Sequence, residues 1–259
     1  MGYEFWNISF EVFCIIATTI LLYKQLTVFR ENDAEKALTV VLFIQLAYFA
    51  SFIPRVLVDT AILTKTQFTV YFVNIFNIAL FVYCSYRVFI YLELYQNTDG
   101  FKLWFNRLVY AIPCIFNMAV LLSCPITGAF LSVSKDATVS SGPFWKLMII
   151  INCFYPAAGL ITFLYRKIKK TSNESLSDFK VTVAFPLIYA TFGPLSALQW
   201  RIPILPFGLM LAELFVFIHY TDLLMRDKNK HLQLEKELAD RTRLKAYFFQ
   251  TCRMISELL

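Results

Sequence analysis

Six ionisable side chains fall inside long apolar runs of this sequence: Glu11, Arg55, Asp59, Arg87, Glu213 and His219. An ionised group surrounded by apolar matter is costly unless it is paired or faces a polar interior. Arg55 and Asp59 are four residues apart and so share one face of a helix. Asn74 and Asn77 are three apart, and Asn117 and Asn152 bring further amides from later runs. A cation, a carboxylate and four amides converging from several helices would suit a small polar or ionic ligand. The same groups would serve equally as hydrogen bonds between helices and as side chains reaching for an interface. Both readings stand, and the candidate ligand-binding set is Arg55, Asp59, Asn74, Asn77, Asn117 and Asn152. Glu213 and His219 are six apart, roughly 120° from one another around an ideal helix, and need not share a site.

Bond-making chemistry has little to work with. No GxSxG, HExxH, phosphate-binding loop or Gly-rich nucleotide loop is present. Two histidines cannot supply a typical His-rich metal site. The six cysteines, at 14, 84, 114, 124, 153 and 252, form no CxxC, and free buried thiols are expected, with Cys124 near one face of the membrane. The expectation is a chain with no catalytic residue, metal or cofactor of its own.

The elements that must position these groups follow from composition. Hydrophobic residues make up 58% and charged residues 16%, with 27 Phe and 14 Tyr, and mean hydropathy is +0.59. A soluble domain runs nearer half apolar and a quarter charged, so much of this surface must face lipid. The apolar runs are about twice the length of a strand in a transmembrane barrel and match the roughly 20 residues of a spanning helix. Seven spans are expected, at 5–23, 37–60, 68–91, 103–123, 144–165, 179–200 and 202–225. The first lacks the basic start and small-residue cleavage site of a signal peptide. Eighteen Lys and Arg flank the odd-numbered exits and the tail, against four on the other side, which puts the N-terminus outside and the C-terminus in the cytoplasm. The formal charge of +6 is then mostly positive-inside bias rather than a nucleic-acid footprint.

Between the fourth and fifth spans, residues 130–139 alternate on either side of Lys135-Asp136, as a small hairpin would, and Gly142-Pro143 closes the loop. It reads as a connector or as a lid over a cavity. Pro54, Pro113, Pro156, Pro186, Pro194, Pro203 and Pro206 interrupt the spans, the sixth carrying two of them with Gly193. Membrane helices tolerate such breaks where neighbours re-satisfy the released carbonyls. No internal inverted repeat is visible, which weakens a transporter reading.

After Met225 the composition turns charged, without Gly or Pro. Two regions follow: 1–225, a seven-helix transmembrane bundle, and 226–259, a cytoplasmic linker helix. Steps of three and four from Leu234 and Leu238 reach Arg241, Lys245, Phe248, Cys252, Ile255 and Leu259, and six of these eight positions are apolar. A coiled coil is expected, with Leu234, Leu238 and Phe248 transmitting the signal across a homodimer seam, although a single solvated helix would fit the charges as well. The fold class is thus an all-α membrane protein, a seven-helix bundle continuing into a signalling helix, in the plasma membrane.

Lys245-Ala-Tyr-Phe-Phe-Gln-Thr251 resembles the lead-in to the dimerisation and phosphoacceptor helix of sensor histidine kinases, which reads K-x-x-F-F-x-x-V and then S-H-D-I-R-T-P-L-N. The seven-span layout, the loop ending in Gly142-Pro143 and the charged exit helix also look like the seven-helix N-terminal sensor region of such kinases. A related region precedes some diguanylate cyclases. The resemblance implies the input and signal-transmission segment of a two-component system. In intact relatives ATP and Mg would serve the kinase domain, and a response regulator would receive the phosphoryl group. A diguanylate cyclase sensor and a self-contained seven-helix receptor or transporter are the alternatives.

The departure from the pattern falls at its end. Cys252-Arg-Met-Ile-Ser-Glu-Leu-Leu259 stands where the family has Val-Ser-His-Asp-Ile-Arg-Thr-Pro, so Met254 occupies the phosphoacceptor histidine's place. In a shifted frame the codons of Met254 and Ile255 read His, Tyr, Asn or Asp followed by Asp. The expectation is a kinase gene truncated by a single-base deletion at its phosphoacceptor motif.

Overall fold

A computed structural model of the chain describes residues 2–28, 33–95, 100–168, 206–215 and 232–242, with positions 187–188, 191, 217–218, 221, 225 and 229 between them. The chain divides into two compact units, Met1–Val216 and Phe217–Leu259.

In lipid every backbone N–H and C=O must be satisfied within its own segment, and a helix does this without a partner. The first unit accordingly contains α1 (Gly2–Val28), α2 (Asp33–Asp59), α3 (Gln67–Tyr95), α4 (Gly100–Thr127) and α5 (Trp145–Ile168). Each holds a stretch long and apolar enough to cross a membrane. The first four run 27 to 29 residues, or about 40 Å, so their ends pass beyond a hydrocarbon core of about 30 Å. A further apolar helix covers Pro206–Phe215. The span expected at 202–225 overlaps it, whereas the span expected at 179–200 lies outside the described residues except for helical positions 187–188 and 191.

Packing turns the usual amphipathic pattern around. On α1, Phe13, Ile16, Ile20 and Tyr23 lie exposed along one face, while Glu11, Cys14, Thr18 and Gln25 are buried on the other. An aromatic and aliphatic stripe facing outward, with the polar stripe turned toward other helices, is the pattern compatible with a helix in lipid. On α3 the exposed rings of Phe68, Phe72 and Phe76 stack one turn apart, with centroids 6.3 and 6.2 Å apart.

α3 is the central element, packing against α2, α4, α5 and the hairpin. The core beside it is aromatic. Phe89 and Tyr110 approach to 4.2 Å between centroids, and Tyr155, wholly buried, donates from its hydroxyl to the Tyr110 carbonyl at 2.8 Å. A Cβ on Gly159 would lie 3.0 Å from Leu92 Cδ1, so the missing side chain is what lets α5 approach α3.

The expected hairpin is present. β1 (Leu131–Val133) pairs antiparallel with β2 (Val139–Ser141), with Ser132 opposite Ser140. Ala137 takes a left-handed conformation after the Lys135-Asp136 turn and closes the loop through its N–H to the Ser134 carbonyl. Gly128, at φ 61°, ends α4 and returns its N–H to Cys124. Gly142 lies so close to the Gly128 and Ala129 carbonyls that no Cβ fits there.

Candidate functional site

Two of the sequence-derived polar groups, Arg55 and Asn77, meet toward the hairpin end of the bundle, where α2 ends and α3 begins. Two helices that bury amides against each other must satisfy them across the interface. Asn77 of α3 does this by donating from Nδ2 to Ser51 Oγ of α2 at 2.8 Å and to the Tyr48 carbonyl at 3.5 Å. Ser51 in turn donates to the Tyr48 carbonyl at 2.7 Å. The free side of the Asn77 amide, Oδ1, accepts from Arg55 Nη1 at 3.4 Å. Arg55 also lies over the Phe52 ring, 5.3 Å from its centroid, which gives the guanidinium a favourable apolar neighbour. The result is a polar chain, Arg55 to Asn77 to Ser51 to the Tyr48 backbone, spanning the α2–α3 interface.

The other four candidate residues are distributed differently. Asp59, one turn beyond Arg55, is exposed at the end of α2. Asn74 is buried, but its Nδ2 donates to the Val70 carbonyl of its own helix at 2.8 Å. Asn117 and Asn152 are buried on α4 and α5, and neither amide meets a hydrogen-bond partner among the described residues. Both helices pack against α3 and against each other. Arg55 and Asn77 are therefore joined, Asn74 serves its own helix, and Asn117 and Asn152 belong to the α3–α4–α5 side.

Glu11 extends the cluster onto α1. It is wholly buried, its two carboxylate oxygens meet no hydrogen-bond donor among the described residues, and among those residues the Arg55 charge acts favourably on it. Below it, α1 meets the Pro206–Phe215 helix in three successive contacts. Phe10 and Phe207 rings lie 5.7 Å apart, Cys14 Sγ lies 3.9 Å from Met210 Sδ, and Thr18 Oγ1 donates to Glu213 Oε2 at 2.6 Å. The second oxygen of Glu213 has no donor among the described residues. Gln45, wholly buried on α2, likewise presents an amide without a described partner.

Sequence reasoning flagged Glu11 and Glu213 as membrane-depth carboxylates but did not join them to anything. The signal for Thr18 was weak, because a threonine in an apolar run is ordinary. What marks it is spacing: Glu11, Cys14, Thr18 and Gln25 recur at helical intervals opposite the aromatic stripe.

The hairpin is fastened to this end of the bundle. Gln67 Nε2 of α3 donates to the Val133 carbonyl at 2.9 Å, and the Val133 N–H donates to the Tyr71 hydroxyl at 3.1 Å. Cys124 Sγ accepts from the Phe130 N–H at 3.4 Å. The thiols of Cys14, Cys84, Cys114 and Cys124 are reduced and buried, so Cys124 holds the hairpin by hydrogen bonding. Among the described residues no three His, Cys, Asp or Glu side chains come together as metal ligands. Of the residues expected to transmit a signal, Leu234 and Leu238 are exposed on the 232–242 helix, whereas Phe248 lies outside the described residues, as does Met254 at the expected phosphoacceptor position.

Set against known protein families, curated proteins and solved structures, the chain matches none of them.

Proposed function

We propose that the chain is the membrane-embedded sensory input and signal-transmission segment of a two-component sensor histidine kinase, a seven-helix bundle with its N-terminus outside. The observation that carries the reading is the Thr18–Glu213 bond, which ties the first helix to the last apolar helix before the charged tail. A change at the Glu11, Arg55 and Asn77 cluster would shift α1, and the bond would pass that shift to the segment leading into residues 226–259. Interhelical shifts of about 1–2 Å are the usual currency of such switches.

The direction of the contacts supports the span count. Phe10, Cys14 and Thr18 meet Phe207, Met210 and Glu213 in the same order, so the two segments run parallel. Consecutive crossings alternate, which gives α5 the same sense as α1. A second segment parallel to α1 is what one further crossing between them would give, and the sequence offers the run 179–200 for it. Leu234 and Leu238, both exposed and one turn apart, support a homodimer seam in which a second copy would cover them.

The test joins residues 1–247 in heptad register to the dimerisation and catalytic domains of a histidine kinase. Autophosphorylation is then measured in membrane vesicles. Thr18→Val and Asn77→Ala are expected to change the rate about two- to tenfold, the range set by losing one hydrogen bond. A rate indifferent to both, in variants that remain folded and inserted, sinks the sensory reading.

A further inference from the structure

The opposite end of the bundle carries a polar cavity that the signalling argument does not use. Its volume is about 330 Å³, and Asp33 and Lys36 of α2, Tyr86 and Arg87 of α3, and Arg107 of α4 line it. Three cations thus face one carboxylate, and that carboxylate already pairs with Lys36 at 3.2 Å. The Nε atoms of Arg87 and Arg107 are shut off from solvent and meet no acceptor among the described residues. Two guanidinium groups lining one cavity, beside a lysine, suit a phosphate group.

A second feature indicates what kind of phosphate. An apolar groove of about 440 Å³ runs between α3 and α4, lined by Tyr83, Tyr86, Cys114, Ile115, Met118 and Leu122. Tyr86 lines both spaces, and its hydroxyl donates to the Arg107 carbonyl at 3.1 Å. Along α4 the groove extends from Ala111 to Leu122, about 16 Å at 1.5 Å per residue, or roughly half of a 30 Å hydrocarbon core. A cationic pocket opening onto an apolar channel one leaflet long has the chemistry of an anionic phospholipid. Lys36, largely exposed, can reach the headgroup from the interface.

We infer that this end of the bundle binds one anionic phospholipid, its phosphate between Arg87 and Arg107 and an acyl chain in the α3–α4 groove. The inference rests on the membrane-embedded reading but not on kinase signalling. By the Lys and Arg distribution the site faces the cytoplasmic leaflet, where basic pockets between helices hold acidic headgroups.

The experiment uses the full chain, purified and stripped of lipid in detergent, with native mass spectrometry and thermal melting as readouts. Phosphatidylglycerol, phosphatidylcholine and inorganic phosphate are added separately. Phosphatidylglycerol is expected to bind and raise the melting temperature, and the other two are not. Arg87→Gln and Arg107→Gln should each weaken phosphatidylglycerol binding about tenfold, the loss of one charge-assisted hydrogen bond. Lys146→Gln at the far end should leave binding unchanged. Ala119 also lines the groove, so Ala119→Trp fills it without altering charge and should displace the lipid, which keeps the test informative if an arginine variant misfolds. Equal binding of both lipids, or wild-type affinity in both arginine variants, overturns the site. Stabilisation by inorganic phosphate to the same extent, with no effect of Ala119→Trp, overturns the lipid in favour of a soluble anion. None of these outcomes depends on kinase output, so failure here leaves the signalling proposal to its own test.

Discussion

Thr18 Oγ1 and Glu213 Oε2 lie 2.6 Å apart although 195 residues separate them in the chain. Both are buried, on parallel helices whose neighbouring contacts are a ring pair and a sulfur pair. A carboxylate in such surroundings needs donors, and Thr18 is the described residue that supplies one.

Thr18→Val removes that donor while preserving shape. It should destabilise the bundle by about 1 kcal/mol, within the range for hydrogen bonds between membrane helices. Thr18→Ser should retain most of the stability. Thermal unfolding of the three proteins in nanodiscs checks this, and an unchanged melting temperature in Thr18→Val would show that the bond contributes nothing.

Asn74 and Asn77 sit on one helix three residues apart, yet they should respond differently. Asn77→Ala severs links to Ser51, Tyr48 and Arg55 across an interface and is expected to lose about 1–3 kcal/mol. Asn74→Ala gives up a bond to its own helix and should lose about 0.5 kcal/mol. Chemical unfolding of the pair in one detergent would settle the order, and equal losses would mean that the interhelical chain is not a unit. Arg55→Lys should not replace Arg55, since a point ammonium lacks the planar fork that reaches Asn77 while lying over Phe52.

Two small residues at backbone corners give opposite signs. A Cβ on Gly142 would sit 2.2 Å from the Gly128 oxygen and 2.3 Å from the Ala129 oxygen, so Gly142→Ala must push the hairpin off α4. The expected loss is more than about 2 kcal/mol, visible as faster amide exchange in β1 and β2. Ala61 ends α2 at φ 59° with an exposed side chain. Ala61→Gly relieves the left-handed strain without giving up packing and should stabilise by about 0.5–1 kcal/mol.

Leu234 and Leu238 are exposed on the helix that follows the membrane region. Leu234→Cys and Leu238→Cys should cross-link into dimers under mild oxidation in membranes, whereas Lys236→Cys, on another face, should cross-link several-fold less. Equal cross-linking at all three positions would argue for random collision instead of a seam. The same cysteines should be shielded from an impermeant thiol reagent in sealed right-side-out vesicles, while Asp136→Cys in the hairpin should react.

The amino-acid order by itself determined the material of this protein. An apolar fraction of 58% in runs of about 20 residues favours helices long and apolar enough to cross a membrane, because a helix closes its own backbone hydrogen bonds. Alternation around Lys135-Asp136 was enough to place the hairpin, since its pairing is local. The candidate site was legible only in part. Arg55 and Asn77 were visible as polar residues in apolar runs, but periodicity cannot say which helix faces which, and the six-residue set did not gather into one contact network. The Thr18–Glu213 bond joins the first helix to the last apolar one, and the Arg87–Arg107 cavity joins residues that read in sequence as one membrane-depth charge and one flanking charge. Rotation of each helix about its axis chooses which residues meet, and that rotation is fixed by side-chain packing between segments remote in sequence. Tertiary structure alone decided those partnerships.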